Sequence, residues 1–115
     1  MQLQVLKSKI HRAVVTQTEL DYVGSITIDR QLMDAVGLYV HEKVQVLNIN
    51  NGARFETYVI EGKAGQKDIC INGAAARLAQ KGDRVIIISY GIVDEKEIID
   101  WKPRIVSIND QNEIE

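Results

Sequence analysis

Residues 43–61, KVQVLNINNGARFETYVIE, most constrain what this chain can fold into. KVQVLNI alternates apolar and polar residues, NNG at 50–52 is a tight-turn sequence, and ARFETYVIE alternates again. Two alternating runs joined by such a turn predict a β-hairpin. Its second strand should put Arg54, Glu56, Tyr58 and Ile60 on one face and Phe55, Thr57 and Val59 on the other. A hairpin cannot bury its apolar face alone, so the remaining chain must supply further strands.

It has the residues to do so. KIHRAVVTQ (9–17), ITI (26–28), DICIN (68–72), RVIIISYGIV (84–93) and RIVSI (104–108) are short apolar or β-branched runs. Residues 84–93 are the most apolar and predict a central strand. DRQLMDAVG predicts a short helix with Asp29 as N-cap, Leu32, Met33 and Val36 on one face, and Gly37 ending it. A second short helix is expected over GAAARLAQ (73–80), and one helical turn over DEKEIID. The polar end, residues 109–115, is expected to fray. At 115 residues this is one domain, mainly β, with the strand count of a closed or nearly closed barrel carrying two or three short helices.

Composition narrows the partners. Fourteen basic against sixteen acidic residues give a net charge of −2, which argues against a nucleic-acid binder that works by neutralising phosphates. No apolar run approaches the ~20 residues of a membrane span, and MQLQVLKSKIHR lacks the apolar stretch of a secretory signal. Cys70 is the only cysteine, so no intrachain disulfide forms and a cytoplasmic home is expected. His11 and His41 have no metal-ligand spacing, and no metal site is expected.

Ser25, His11 and Asp21 are triad residue types, but no nucleophile-elbow sequence surrounds the serine. The glycines of NGARF and NGAAARL match neither a phosphate loop nor a dinucleotide fingerprint. An anion site has more support. Lys9 and His11 lie two apart on a strand, and with Arg54 they would hold a carboxylate if the fold brought them together. Asn72 and Gly73 begin the second helical segment, where unpartnered N–H groups can bind an oxyanion.

Taken together, Lys9-Ile10-His11-Arg12, YVGS (22–25), NNGARFETYVI (50–60), INGAAA (71–76), KGDRVIIISY and WKPRIV follow one order and spacing over nearly the whole chain. In these motifs the chain resembles the bacterial aspartate 1-decarboxylases. The resemblance implies a double-psi β-barrel, a homotetramer with active sites between subunits, and a precursor that cuts itself between Gly24 and Ser25 into chains 1–24 and 25–115. Ser25 would become a covalent pyruvoyl group that forms a Schiff base with L-aspartate. The product would be β-alanine, for pantothenate and coenzyme A synthesis.

The resemblance also implies roles for single residues. Thr57 would activate the Gly24 carbonyl during maturation and contact substrate afterwards. Tyr58 would be the proton donor, a role that suits a phenol because it keeps its proton at neutral pH. Arg54 would clamp a substrate carboxylate, with Lys9 and His11 adding positive potential. Asn72, Gly73, Ala74 and Ala75 would hold pyruvoyl and substrate oxygens, and Tyr22 would line the site. Leu47 departs from members that carry a large aromatic there, which bears on pocket shape. Two other readings stay open: a barrel homologue that never matures and serves as a binding or assembly module, and a pyruvoyl enzyme acting on another amino acid, such as glutamate. The need for a maturation factor is left open too.

Overall fold

The computed structural model describes residues 1–115 as a mainly β single domain. Its strands are β1 (Gln2–Val14), β2 (Gln17–Glu19), β3 (Ile26–Asp29), β4 (Lys43–Asn48), β5 (Arg54–Gly62), β6 (Ile69–Asn72), β7 (Arg84–Asp94) and β8 (Arg104–Ser107). Helix α1 spans Arg30–Val36, and 3-10 helices span Gly73–Leu78 and Glu95–Asp100.

The strands pair in the order β2-β6-β3-β5-β4-β7-β1-β8. No ladder joins β2 to β8. A covalent link approaches closure instead: β1, next to β8 at one end of the order, runs through Val15 and Thr16 into β2 at the other end. The crossing is pinned by Val15 N–H to Asp83 O and Thr16 N–H to Ile69 O, each 2.8 Å. Inside lie Ile10, Ile26, Ile28, Val44, Val46, Val59, Ile69, Ile71, Val85 and Ile87, capped by Leu32, Met33 and Val36 of α1. Burying each such Ile or Val is worth about 1.5–3 kcal/mol.

The hairpin forms as its pattern dictates. β4 and β5 pair antiparallel with Leu47 opposite Arg54 and Gln45 opposite Glu56. Its turn is wider than NNG alone, because Asn48 N–H reaches Ala53 O at 2.8 Å. In α1, Asp29 accepts from Gln31 N–H at 2.7 Å, and Gly37, at φ 72°, donates to Met33 O.

Three expectations are corrected. β1 begins at Gln2, well before residue 9, because its polar alternating start pairs with β7 as far as Asp94. The segment after Asn72 is a 3-10 helix ending at Leu78, with no cap from the Asn72 side chain. Residues 109–115 do not fray. Asn112 is buried, accepts from Val14 N–H at 2.7 Å, and donates to Val14 O at 2.9 Å and Lys67 O at 3.0 Å. Ile114 bridges Ile108, and hydrogen bonds from Lys67 and Asn109 hold the Glu113 carboxyl below its ordinary range.

Candidate active site

The loop between β2 and β3 passes from full exposure to full burial in three residues: Val23 is 91% exposed and Ser25 is 1% exposed. Between them the backbone turns through Gly24 at φ 111° and Ser25 at φ 101°. Glycine tolerates that region, but a residue with a Cβ is strained there. Such strain costs on the order of 1–3 kcal/mol and persists only where the surroundings enforce it.

The enforcement comes from the end of β6. Asn72 N–H donates to Ser25 O at 2.9 Å, and Asn72 Nδ2 donates to Ser25 Oγ at 3.1 Å and Thr27 Oγ1 at 3.0 Å. The Cys70 thiol donates to Asn72 Oδ1 at 3.1 Å. Gly73, at φ 76°, lies against the loop so closely that a Cβ there would stand 2.6 Å from Gly24 Cα, 2.7 Å from Gly24 N and 3.0 Å from Tyr22 O. Ser25 is therefore gripped through its carbonyl and hydroxyl while Gly24 is pressed from one side.

β5 flanks the same loop. Ile26 pairs with Val59 in the parallel β3/β5 ladder and with Ile71 in the antiparallel β3/β6 ladder. Thr57 and Tyr58 directly precede Val59 on β5, and strand alternation puts their side chains on opposite faces. Tyr58 is 38% exposed, with its ring 6.5 Å from that of His41. Tyr22 is exposed at the loop's start, Ala74 is exposed, and Ala75 packs against the core cluster.

The cationic residues divide into two groups. Arg54 is exposed at the start of β5, with Nη1 3.3 Å from Gln45 Oε1. Lys9 pairs with Ile88, Ile88 with Gln45, and Gln45 with Glu56. Two strands intervene, so β1 and β5 are three spacings apart, roughly 14 Å. One chain does not bring Lys9 and His11 onto Arg54. His11 adjoins a bulge at Arg12, which has φ 71°, and its Nδ1 is buried without a partner. Burial, then the charges of Lys9 and Arg12, lower its pKa, leaving a neutral imidazole at pH 7.

Arg54 and Leu47 share a shallow hollow of about 290 Å³. The largest groove, about 420 Å³, lies over β1, β4, β5 and β7, where Lys43 and Glu56 pair at 2.8 Å. Ser25 lines neither. Two residues of the Asn72 network, Thr27 and Cys70, have no counterpart among the sequence candidates. The available signal was strand alternation: Thr27 is two from Ser25 and Cys70 two from Asn72, which places all four on one face.

The Aspartate decarboxylase family model matches residues 1–115. An aspartate 1-decarboxylase of Caldicellulosiruptor bescii is 60% identical over 99% of this chain and 89% of its own length. One of Sulfurimonas denitrificans is 56% identical over 100% of this chain and 95% of its own, and one of Bacillus subtilis 57% identical over 96% and 87%. With a match of this extent, the chain belongs to the aspartate decarboxylase family.

Proposed function

We propose that this protein is a self-processing decarboxylase that converts L-aspartate to β-alanine and CO2, the β-alanine serving pantothenate synthesis. The observation that carries the reading is the strained Gly24–Ser25 pair, with a buried serine held by Asn72. Tight turns with two successive positive φ angles normally take Gly, Asn or Asp, whereas here the second position is a buried serine at φ 101°. A peptide bond about to be attacked by its own side chain gains from such angles, because strain raises the ground state of an otherwise resonance-stabilised amide.

In maturation, Ser25 Oγ attacks the Gly24 carbonyl carbon and the C–N bond breaks, giving an ester and a free Ser25 amine. Thr57 supports the Gly24 carbonyl oxygen as negative charge develops on it. Elimination of the ester across Ser25 Cα–Cβ and hydrolysis, with loss of ammonia, leave a pyruvoyl group at residue 25 and the chains 1–24 and 25–115. The surroundings suit such a group: Asn72 offers an N–H and a side-chain amide where Ser25 now sits, and Gly73 leaves room for backbone alone.

When present, the pyruvoyl group supplies a carbonyl that can bond an amine and accept the electron pair released by decarboxylation. The chain's own residues then bind and protonate. Arg54 binds a substrate carboxylate through its planar fork. Tyr58 returns a proton to the substrate carbon. Tyr22, Gly73, Ala74 and Ala75 line the site at the β6 end. Lys9 and His11 lie too far along the sheet to join Arg54 within one chain, which favours a homotetramer with sites built between subunits.

Intact mass after warm incubation tests the first half. Two chains split after Gly24 are expected, with pyruvoyl on the second, whereas a persistent single chain supports a non-maturing binding module. CO2 release tests the second half and should favour aspartate over glutamate and cysteate. Tyr58→Phe should cleave normally yet lose about 10²–10⁴-fold in kcat, the usual contribution of a positioned acid. Unchanged turnover would remove Tyr58 from the proton-donor role.

A further inference from the structure

We propose that the Cys70 thiol is a positioning residue for self-cleavage, acting by turning the Asn72 amide so that its NH2 group faces Ser25 Oγ. The inference rests on the self-processing reading above and assigns an additional residue to it. Cys70 pairs with Thr27, and Ile71 with Ile26, across the β3/β6 ladder, so Cys70, Asn72, Ser25 and Thr27 meet on one face. The Asn72 side chain is fully used there: one N–H goes to Ser25 Oγ, the other to Thr27 Oγ1, and Oδ1 accepts from the thiol.

The thiol breaks a near-symmetry. Serine and threonine hydroxyls can donate or accept, so they alone would tolerate either orientation of the amide. A protonated thiol donates to Oδ1 but offers only a weak acceptor to NH2. It therefore favours the orientation in which Asn72 donates to Ser25 Oγ. That direction matters in the cleavage step. As Oγ bonds to the Gly24 carbonyl carbon and the Gly24–Ser25 C–N bond breaks, the hydroxyl proton passes to the departing Ser25 nitrogen. An amide donor stabilises the charge on Oγ during the transfer, whereas an amide oxygen would compete for the proton.

Burial, then the charges of Glu19 and Asp68, raises the thiol's pKa, so it keeps its donor proton at neutral pH. Glu19 lies on β2 and Asp68 just ahead of β6, while β3 presents the uncharged Thr27 opposite Cys70. Above that raised pKa a thiolate would only accept, and would draw the NH2 group away from Ser25.

The test is the rate of precursor cleavage, followed by intact mass in the full-length chain from neutral pH to well above the ordinary thiol range. Cys70→Ala should slow cleavage about fivefold, the equivalent of one ordinary hydrogen bond. Cys70→Ser, whose hydroxyl donates or accepts equally well, fixes neither orientation and should also stay slower than the unmodified chain. At high pH the unmodified protein should slow relative to Cys70→Ser, a divergence that a packing role alone would not produce. Cleavage of Cys70→Ala or of Cys70→Ser at the unmodified rate, or parallel high-pH profiles, would each overturn the assignment and leave self-processing standing. Failure of the unmodified chain to cleave overturns the self-processing reading and this inference together.

Discussion

Ser25→Ala is expected to remain one uncut chain and to lose decarboxylation by at least about three orders of magnitude, since nucleophile and cofactor source vanish together. The fold should survive. Alanine at residue 25 would carry the same φ of 101° as serine, so backbone strain is neither added nor relieved. Asn72 Nδ2 loses Ser25 Oγ but keeps Thr27 Oγ1, and its backbone N–H still reaches residue 25's carbonyl. The cost is about 1 kcal/mol, that of one hydrogen bond. Intact mass, thermal unfolding and CO2 release measured on one preparation separate these effects. A folded Ser25→Ala protein that releases CO2 from aspartate at the unmodified rate would overturn the proposed cofactor origin.

That outcome depends on a site only partly legible from sequence. The hairpin at residues 43–61 and helix α1 were readable because their determinants are local: alternation, turn residues, an Asp29 cap and a terminal Gly37. The start of β1 was not, since its polar residues become a strand only by pairing with β7, over eighty positions away. The tail was misread for a similar reason. Asn112 looks like a loop residue until Val14 and Lys67 are brought beside it.

At the site, resemblance to a family singled out Gly24 and Ser25, and geometry then supplied a physical reason in two positive φ angles. Thr27 was not singled out because its contact with Asn72 depends on the β3/β6 register, a tertiary property. Cys70, two residues from Asn72 on β6, drew attention only as the lone cysteine. The grouping of Lys9, His11 and Arg54 required knowing that β7 and β4 lie between their strands.

Gly73→Ala should block maturation almost as completely, although residue 73 bears none of the reacting atoms. Two effects must be separated. The first is local: Gly73 has φ 76°, and any L side chain there is strained by about 1–3 kcal/mol. The second is specific: the new Cβ would fall 2.6 Å from Gly24 Cα and 2.7 Å from Gly24 N. Those are backbone atoms of Gly24, whose own carbonyl carbon is the one to be attacked, with no flexible side-chain end that could swing aside. Either the Gly24–Ser25 turn moves or the end of β6 does, and both movements break the grip of Asn72 on Ser25. Displacements of about 1 Å between reacting groups cost on the order of 100-fold, so cleavage should slow by at least that factor. Gly52→Ala is the matched control, because Gly52 has the same φ of 76° with nothing within 4 Å of the added Cβ. It should lose comparable stability in thermal unfolding yet cleave at the unmodified rate. If both variants cleave alike, contact between Gly73 and the scissile turn has no part in holding the bond for attack.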